Sequence, residues 1–238
     1  RVSLIIGFRN KKNLIFFCIM TDLILCAAIV NPKQEDNLEQ VIKKLDKHKF
    51  HNKYILFDGT VEQGKFETRY TKYKNYIKIN YPDFTVIENQ ECLYHRKTLE
   101  RFVKDNFEAL SKNCFVLQDD ILIDDFDLDK VLKTKAVFDE CKILYFREHR
   151  LRCKLWFNII DDSGELIKTH DWNEKAYLIT KDWLIKLLDK DKVKYYEEMI
   201  KDKCWETITK EEQLEYWQKW GSYEHKTIRH KHLETKRS

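Results

Sequence analysis

The chain has 238 residues, 43% of them hydrophobic, with 6 Trp, 12 Tyr and 14 Phe, enough to bury a sizeable core in one large domain or two small ones. Only five Gly and two Pro favour regular elements with short connections. A net charge of +4 in a chain that is 35% charged fits anionic ligands but does not by itself imply a nucleic-acid protein. The seven Cys (18, 26, 92, 114, 141, 153, 204) form no Cys-x-x-Cys pair and are odd in number. That argues against a disulfide framework and for a reducing, cytoplasmic compartment.

Residues 1–19 lack an initiator Met, and Met20 is the first in the chain. Met20 is expected to be the natural start, with 1–19 an upstream extension. The apolar stretch 14–30 would otherwise serve as a signal anchor, but Asp22 interrupts it and it is marginally short.

From there the pattern reads as alternating strands and helices. Leu23 to Val30 is a continuous apolar run closed by Asn31-Pro32, a first buried strand. Leu38, Val41, Ile42 and Leu45 mark a helix over 35–49, and Tyr54 to Phe57 is a second strand stopped by Asp58-Gly59. The Lys- and Tyr-rich segment 60–80 reads as a loop with a short helix, followed by a third strand, Phe84 to Ile87. Leu99, Phe102, Val103, Phe107 and Leu110 place an amphipathic helix over 93–110. The fourth strand, 114–118, runs into Asp119-Asp120. Asp127 or Asp129 opens the next helix, and Lys142 to Phe146 is a fifth strand.

Beyond residue 150, Leu155–Ile160 and Leu166–Thr169 read as a hairpin about Gly164, and Ala176 to Thr180 as a strand leading into a helix through Leu188. Two further helices are expected near 193–203 and 210–219. The β-α order implies an α/β fold with a mostly parallel sheet covered on both faces. No Gly-x-Gly-x-x-Gly follows the first strand and no Walker loop occurs, which disfavours dinucleotide-binding dehydrogenases and P-loop NTPases.

The fourth strand holds the main clue. A buried strand should not end in two uncompensated carboxylates, because unpaired charge near a core is costly. Carboxyl ends of strands in open α/β sheets are ligand sites. Oxygen donors without nearby Cys or His suit Mg²⁺ or Mn²⁺, a cation that would also hold phosphate.

Two features together resemble the GT-A-fold nucleotide-diphospho-sugar glycosyltransferases. Phe57-Asp58-Gly59-Thr60 is similar to the turn that holds the nucleotide base in many of them, and Val116-Leu117-Gln118-Asp119-Asp120-Ile121 looks like their metal-binding acidic motif. About sixty residues separate the two, and the intervening order fits. Ala176-Tyr177-Leu178-Ile179 resembles the acceptor-side segment of the lipopolysaccharide-type family. The resemblance covers roughly residues 22–190. The sequence departs from the usual pattern in having one Asp in the base turn and Gln-Asp-Asp in place of Asp-x-Asp.

The resemblance implies a single glycosyltransferase-like domain over 20–238, with a nucleotide-sugar half (20–150) and an acceptor half with a C-terminal tail (151–238). It implies a nucleoside-diphosphate sugar as donor, an unidentified glycan, protein or lipid as acceptor, and Mn²⁺ or Mg²⁺ as cofactor. Asp120 and His232 are the expected metal ligands, with Asp119 on the metal or the ribose. Asp58 would accept from the base, Asn31 would line the nucleotide pocket, and Arg96 would reach phosphate or sugar. His230 and His232 would project to one side of an extended tail. Asp171 is the expected base on the acceptor side, with Trp156 and Trp172 nearby as surfaces for a sugar face. Two rivals stand beside this reading: a metal-dependent nuclease whose basic tail, 226–237, tracks a nucleic-acid backbone, and a glycosyltransferase-like module that binds without turnover. An EF-hand over 119–129 is disfavoured by the missing central Gly.

Overall fold

The computed structural model describes residues 20–27, 32–59, 67–89, 91, 93–124, 126–137, 141–146, 159–161, 166–169, 175–188, 211, 222–225, 228 and 230–233. Strand β1 (Thr21–Ala27) is buried at every position. Its side chains alternate between two cores, Leu23, Leu25 and Ala27 on one face and Ile24 and Cys26 on the other. A strand covered on both faces reads as an unbroken apolar run.

Helix α1 (Pro32–Leu45) lays Leu38, Val41, Ile42 and Leu45 on the first face, as the spacing predicts. Each such side chain contributes about 1.5–3 kcal/mol of burial. Strand β2 (Lys53–Phe57) follows and pairs parallel with β1.

The segment expected to be a loop with a short helix holds a full helix, α2 (Glu67–Asn80). Its buried stripe is Tyr70, Tyr73 and Ile77, at helical spacing on the same core as α1. The two tyrosines tip edge-on against Phe57, at 5.7 and 6.4 Å between ring centroids. Tyrosine supplies the apolar area here while keeping a hydroxyl for polar partners, so the stripe is hidden among lysines in a hydropathy reading.

Strand β3 (Phe84–Glu88) pairs parallel with β2. Helix α3 (Tyr94–Asn106) then covers the second face through Leu99, Phe102 and Val103. A 3-10 turn, Phe107–Ala109, leads into β4 (Asn113–Gln118), parallel to β1. Past the acidic pair comes a short strand, β5 (Ile121–Ile123), to which the sequence pattern assigns no element. Asp127 caps α4 (Leu128–Val137), its Oδ1 accepting from the Lys130 amide at 3.1 Å.

Strands β6 (Ile143–Tyr145), β7 (Ile159–Asp161), β8 (Leu166–Thr169) and β9 (Ala176–Thr180) follow, then α5 (Lys181–Leu188) on the α3 side. Strands β10 (Ser222–His225) and β11 (His230–His232) end the described chain. Nine strands form one sheet in the order β3-β2-β1-β4-β9-β6-β10-β8-β7, and β11 pairs with β5 in a second. The β3-β2-β1-β4 half is parallel, and β9 runs antiparallel between β4 and β6. The mouths of β2, β1 and β4 therefore open at one edge. Among the described residues no helix is long and apolar enough to cross a membrane.

The opposite end of β1 is pinned by Asp22, fully buried. Its carboxylate accepts from the Asn52 amide and Nδ2 at 3.1 and 3.0 Å, and from the Ser111 amide and hydroxyl at 2.6 and 2.8 Å. One side chain thereby fixes where β2 and β4 start relative to β1. Asp22→Ala leaves these donors facing an apolar gap and should cost about 3 kcal/mol or more in unfolding free energy by urea titration.

Candidate functional site

The parallel register brings three chain segments to one mouth. The β1–β2 ladder ends at Ala27 opposite Phe57, and the Asp58 amide extends it by donating to the Ala27 carbonyl at 3.0 Å. On the other side of β1, the Asp119 amide donates to the Cys26 carbonyl at 3.1 Å. Asp58 and Asp119 thus flank the end of β1, two inter-strand spacings or roughly 10 Å apart along the sheet. Both are buried, at 5% and 6% exposure. Burial, then the charges of Asp119 and Asp58 push the Cys26 thiol up from its ordinary range.

Asp58 is the most connected of them. Its Oδ1 accepts from the Gly59 amide at 3.0 Å, the Leu93 amide at 2.8 Å and the Thr98 hydroxyl at 3.0 Å. Its carbonyl accepts from the Tyr70 hydroxyl, and the Gly59 amide also reaches the Glu91 carbonyl at 3.2 Å.

These bonds explain how α3 begins. Leu93 at its N-cap makes no side-chain cap, and its first turn carries no acid but His95, Arg96 and Lys97. Positive charge at a helix N-terminus opposes the macrodipole, whose favourable partners there are anions. Asp58 supplies the missing negative charge from another strand.

Arg96 and His95 are each half-buried. The Arg96 Nη2 and the His95 Nε2 are buried and meet no hydrogen-bond partner among the described residues. Burial lowers the His95 pKa to about 4, against the opposing pull of Asp58, so the ring is neutral at pH 7. Thr98, His95 and the Leu93 amide were missed by the sequence reading. A first helical turn of three bases without a cap was the signal that could have found them.

Asp120 follows Asp119 at the start of the turn into β5, with its Oδ1 buried. Strand β11 lies antiparallel along β5, His232 opposite Ile121 and His230 opposite Ile123. The Leu233 amide donates to the Asp120 carbonyl at 2.7 Å. The tail backbone that carries His232 therefore borders Asp120. Of the other candidates, Asn31 and Asp171 lie outside the described residues, as do Trp156 and Trp172.

The donors fit a hard divalent cation in part. Two adjacent carboxylates offer only oxygen, and Mg²⁺ commonly binds one or two carboxylates together with substrate phosphates and water. Among the described residues no three His, Cys, Asp or Glu side chains form a complete metal site.

This arrangement is a GT-A-like α/β fold. GalNAc-T7, solved with UDP, GalNAc and Mn²⁺, matches at a TM-score of 0.54 and 11% identity, over 91% of this chain and 44% of that one. HddC from Yersinia pseudotuberculosis matches at 0.44 and 12% identity, over 70% of this chain and 80% of that one. An active-site mutant of LgtC matches at 0.45 and 14% identity, over 76% and 65%. The chain spans less than half of the GalNAc-T7 chain, and at 11% identity that likeness is one of fold. No protein-family model matches the chain, and no curated protein matches it in sequence.

The His95 environment sets a pH dependence. Its folded pKa, about 4, lies below the ordinary 6.5, so its contribution is complete above pH 6.5 and is lost as pH falls through 4. Between these values the stability difference between wild type and His95→Phe should shrink by up to about 3 kcal/mol. Parallel urea titrations at pH 7, 5.5 and 4 would show it; a difference that stays constant over that range contradicts this environment.

Proposed function

We propose that the protein is a metal-dependent glycosyltransferase that moves a sugar from a nucleoside-diphosphate sugar to a glycan, protein or lipid acceptor. The observation that carries this reading is the convergence at one sheet edge. Asp58 and Asp119 flank the mouth of β1, and the tail bearing His232 is laid beside Asp120. GalNAc-T7, whose fold this chain shares, was solved with UDP, GalNAc and Mn²⁺.

In this reading Asp120 and His232 hold Mn²⁺ or Mg²⁺, and Asp119 either joins them or binds the ribose. A bound divalent cation offsets the negative charge that builds on a departing diphosphate. Arg96, with a buried nitrogen and no partner among the described residues, gains one by meeting a phosphate or sugar oxygen. Asp58, whose Oδ1 ties down the start of α3, would accept a hydrogen bond from the base. Asn31 follows β1 in the chain and would line the same pocket, and Asp171 would take the acceptor proton.

Nucleoside-diphosphate sugars should raise the melting temperature in the presence of Mn²⁺ and not in EDTA, for at least one sugar nucleotide. Asp120→Asn should abolish that shift while leaving the melting temperature without ligand within a few degrees of wild type. A panel of UDP-, GDP-, CDP- and TDP-sugars without any metal-dependent shift would sink the reading.

A further inference from the structure

We propose that His95 is a nucleoside-recognition residue, whose Nε2 meets a hydroxyl or base-edge group of the donor nucleotide beside Asp58. The inference rests on the glycosyltransferase reading and deepens it. Three observations support it.

The first is the buried Nε2, which meets no partner among the described residues. Leaving such a nitrogen unsatisfied costs about 1–3 kcal/mol, so its presence calls for a partner outside the described chain. The second is position. His95 lies in the first turn of α3, next to Arg96, whose Nη2 is also buried without a partner there. It is close enough to Asp58 to feel its charge, and Asp58 Oδ1 is tied to the start of α3. His95 and Arg96, adjacent in the first turn of α3, each keep one buried nitrogen without a partner among the described residues.

The third is charge, which divides the ligand between them. A neutral imidazole offers one donor and one acceptor and no net charge. Beside the Asp58 carboxylate it makes a poor phosphate site, since a phosphate there would face a negative neighbour without a cation to offset it. It suits the uncharged N–H, O–H and carbonyl groups of a base or ribose. Arg96 is permanently cationic and suits the diphosphate. The pair would thus measure the junction between nucleoside and diphosphate.

The test compares wild type, His95→Phe and His95→Ala by isothermal titration with UDP, GDP, CDP and ADP, and with inorganic pyrophosphate, all in Mn²⁺. His95→Phe keeps the ring volume and removes both nitrogens. For whichever diphosphate the wild type binds, both variants should weaken binding about tenfold, the loss of one hydrogen bond of about 1.4 kcal/mol. Pyrophosphate binding should stay within twofold. Equal nucleotide affinity in a folded variant overturns the proposal and leaves the glycosyltransferase reading intact, an internal water then being the partner of Nε2. An equal loss for pyrophosphate overturns it too, since His95 would then act through the phosphate site. No nucleotide binding by the wild type overturns both. If neither variant folds, ¹⁵N-imidazole spectra of the wild type decide. The His95 Nε2 signal should move with the nucleotide and not with pyrophosphate, and the reverse overturns the proposal.

Discussion

A single buried carboxylate at the mouth of β2 holds the site's architecture together. Asp58 sits where a charge is costly unless it is hydrogen-bonded, and its neighbours supply those bonds. Its amide continues the β1 ladder, its carbonyl takes the Tyr70 hydroxyl of α2, and its Oδ1 gathers Gly59, Leu93 and Thr98. Two strands, two helices and the segment before α3 are thereby registered on one residue. Without it α3 would begin with His95, Arg96 and Lys97 and no cap at all. The same negative charge that stabilises the helix start lets basic side chains collect there, and those side chains are what an anionic ligand needs.

The same device is used at the other end of the sheet. Asp22 is fully buried and binds the starts of β2 and β4 through Asn52 and Ser111. Strand β1 is thus held by acids at both ends, Asp22 below and Asp58 with Asp119 above. Sites carried on elements fixed in this way keep their geometry more closely than sites on loops. Cys26, whose side chain packs in the second core near the end of β1, has its thiol pushed up by burial and by both carboxylates, so it stays protonated.

The parallel half of the sheet was legible because its strands are buried on both faces and so read as unbroken apolar runs. The acidic ending of β4 stood out because it violates that pattern. Where sequence and structure part, the reason is local. Helix α2 was read as mostly loop because its buried stripe is made of Tyr70 and Tyr73, which hydropathy counts as half polar. Strand β5 was invisible because Ile121–Ile123 is three residues long and its partner lies more than a hundred positions away, at His230–His232. Asp58 could be read as a turn residue, but not that its carboxylate would cap a helix thirty-five positions on. Long-range polar bonds leave no periodic trace in sequence, and they are what the site is made from.

That distance has a cost of its own. Closing a loop between β5 and β11 loses chain entropy that three residues of backbone pairing repay poorly, and a two-stranded ladder alone is marginal in water. What holds it is side-chain burial. Ile121, Ile123 and Ile228 are buried in the core shared with α1 and α4, and Leu233 packs against it. Phe126, just past β5, stacks on Phe115 of β4 at 4.8 Å and fixes the turn from below. The border of Asp120 thus rests on apolar packing beneath a short backbone ladder, while the flanks of Asp58 rest on side-chain hydrogen bonds. The first kind of support is non-directional and tolerates small shifts, and the second does not. The mouth consequently has one wall tied by side-chain hydrogen bonds, at β2 and α3, and one wall held by a three-residue ladder and apolar packing, at the tail.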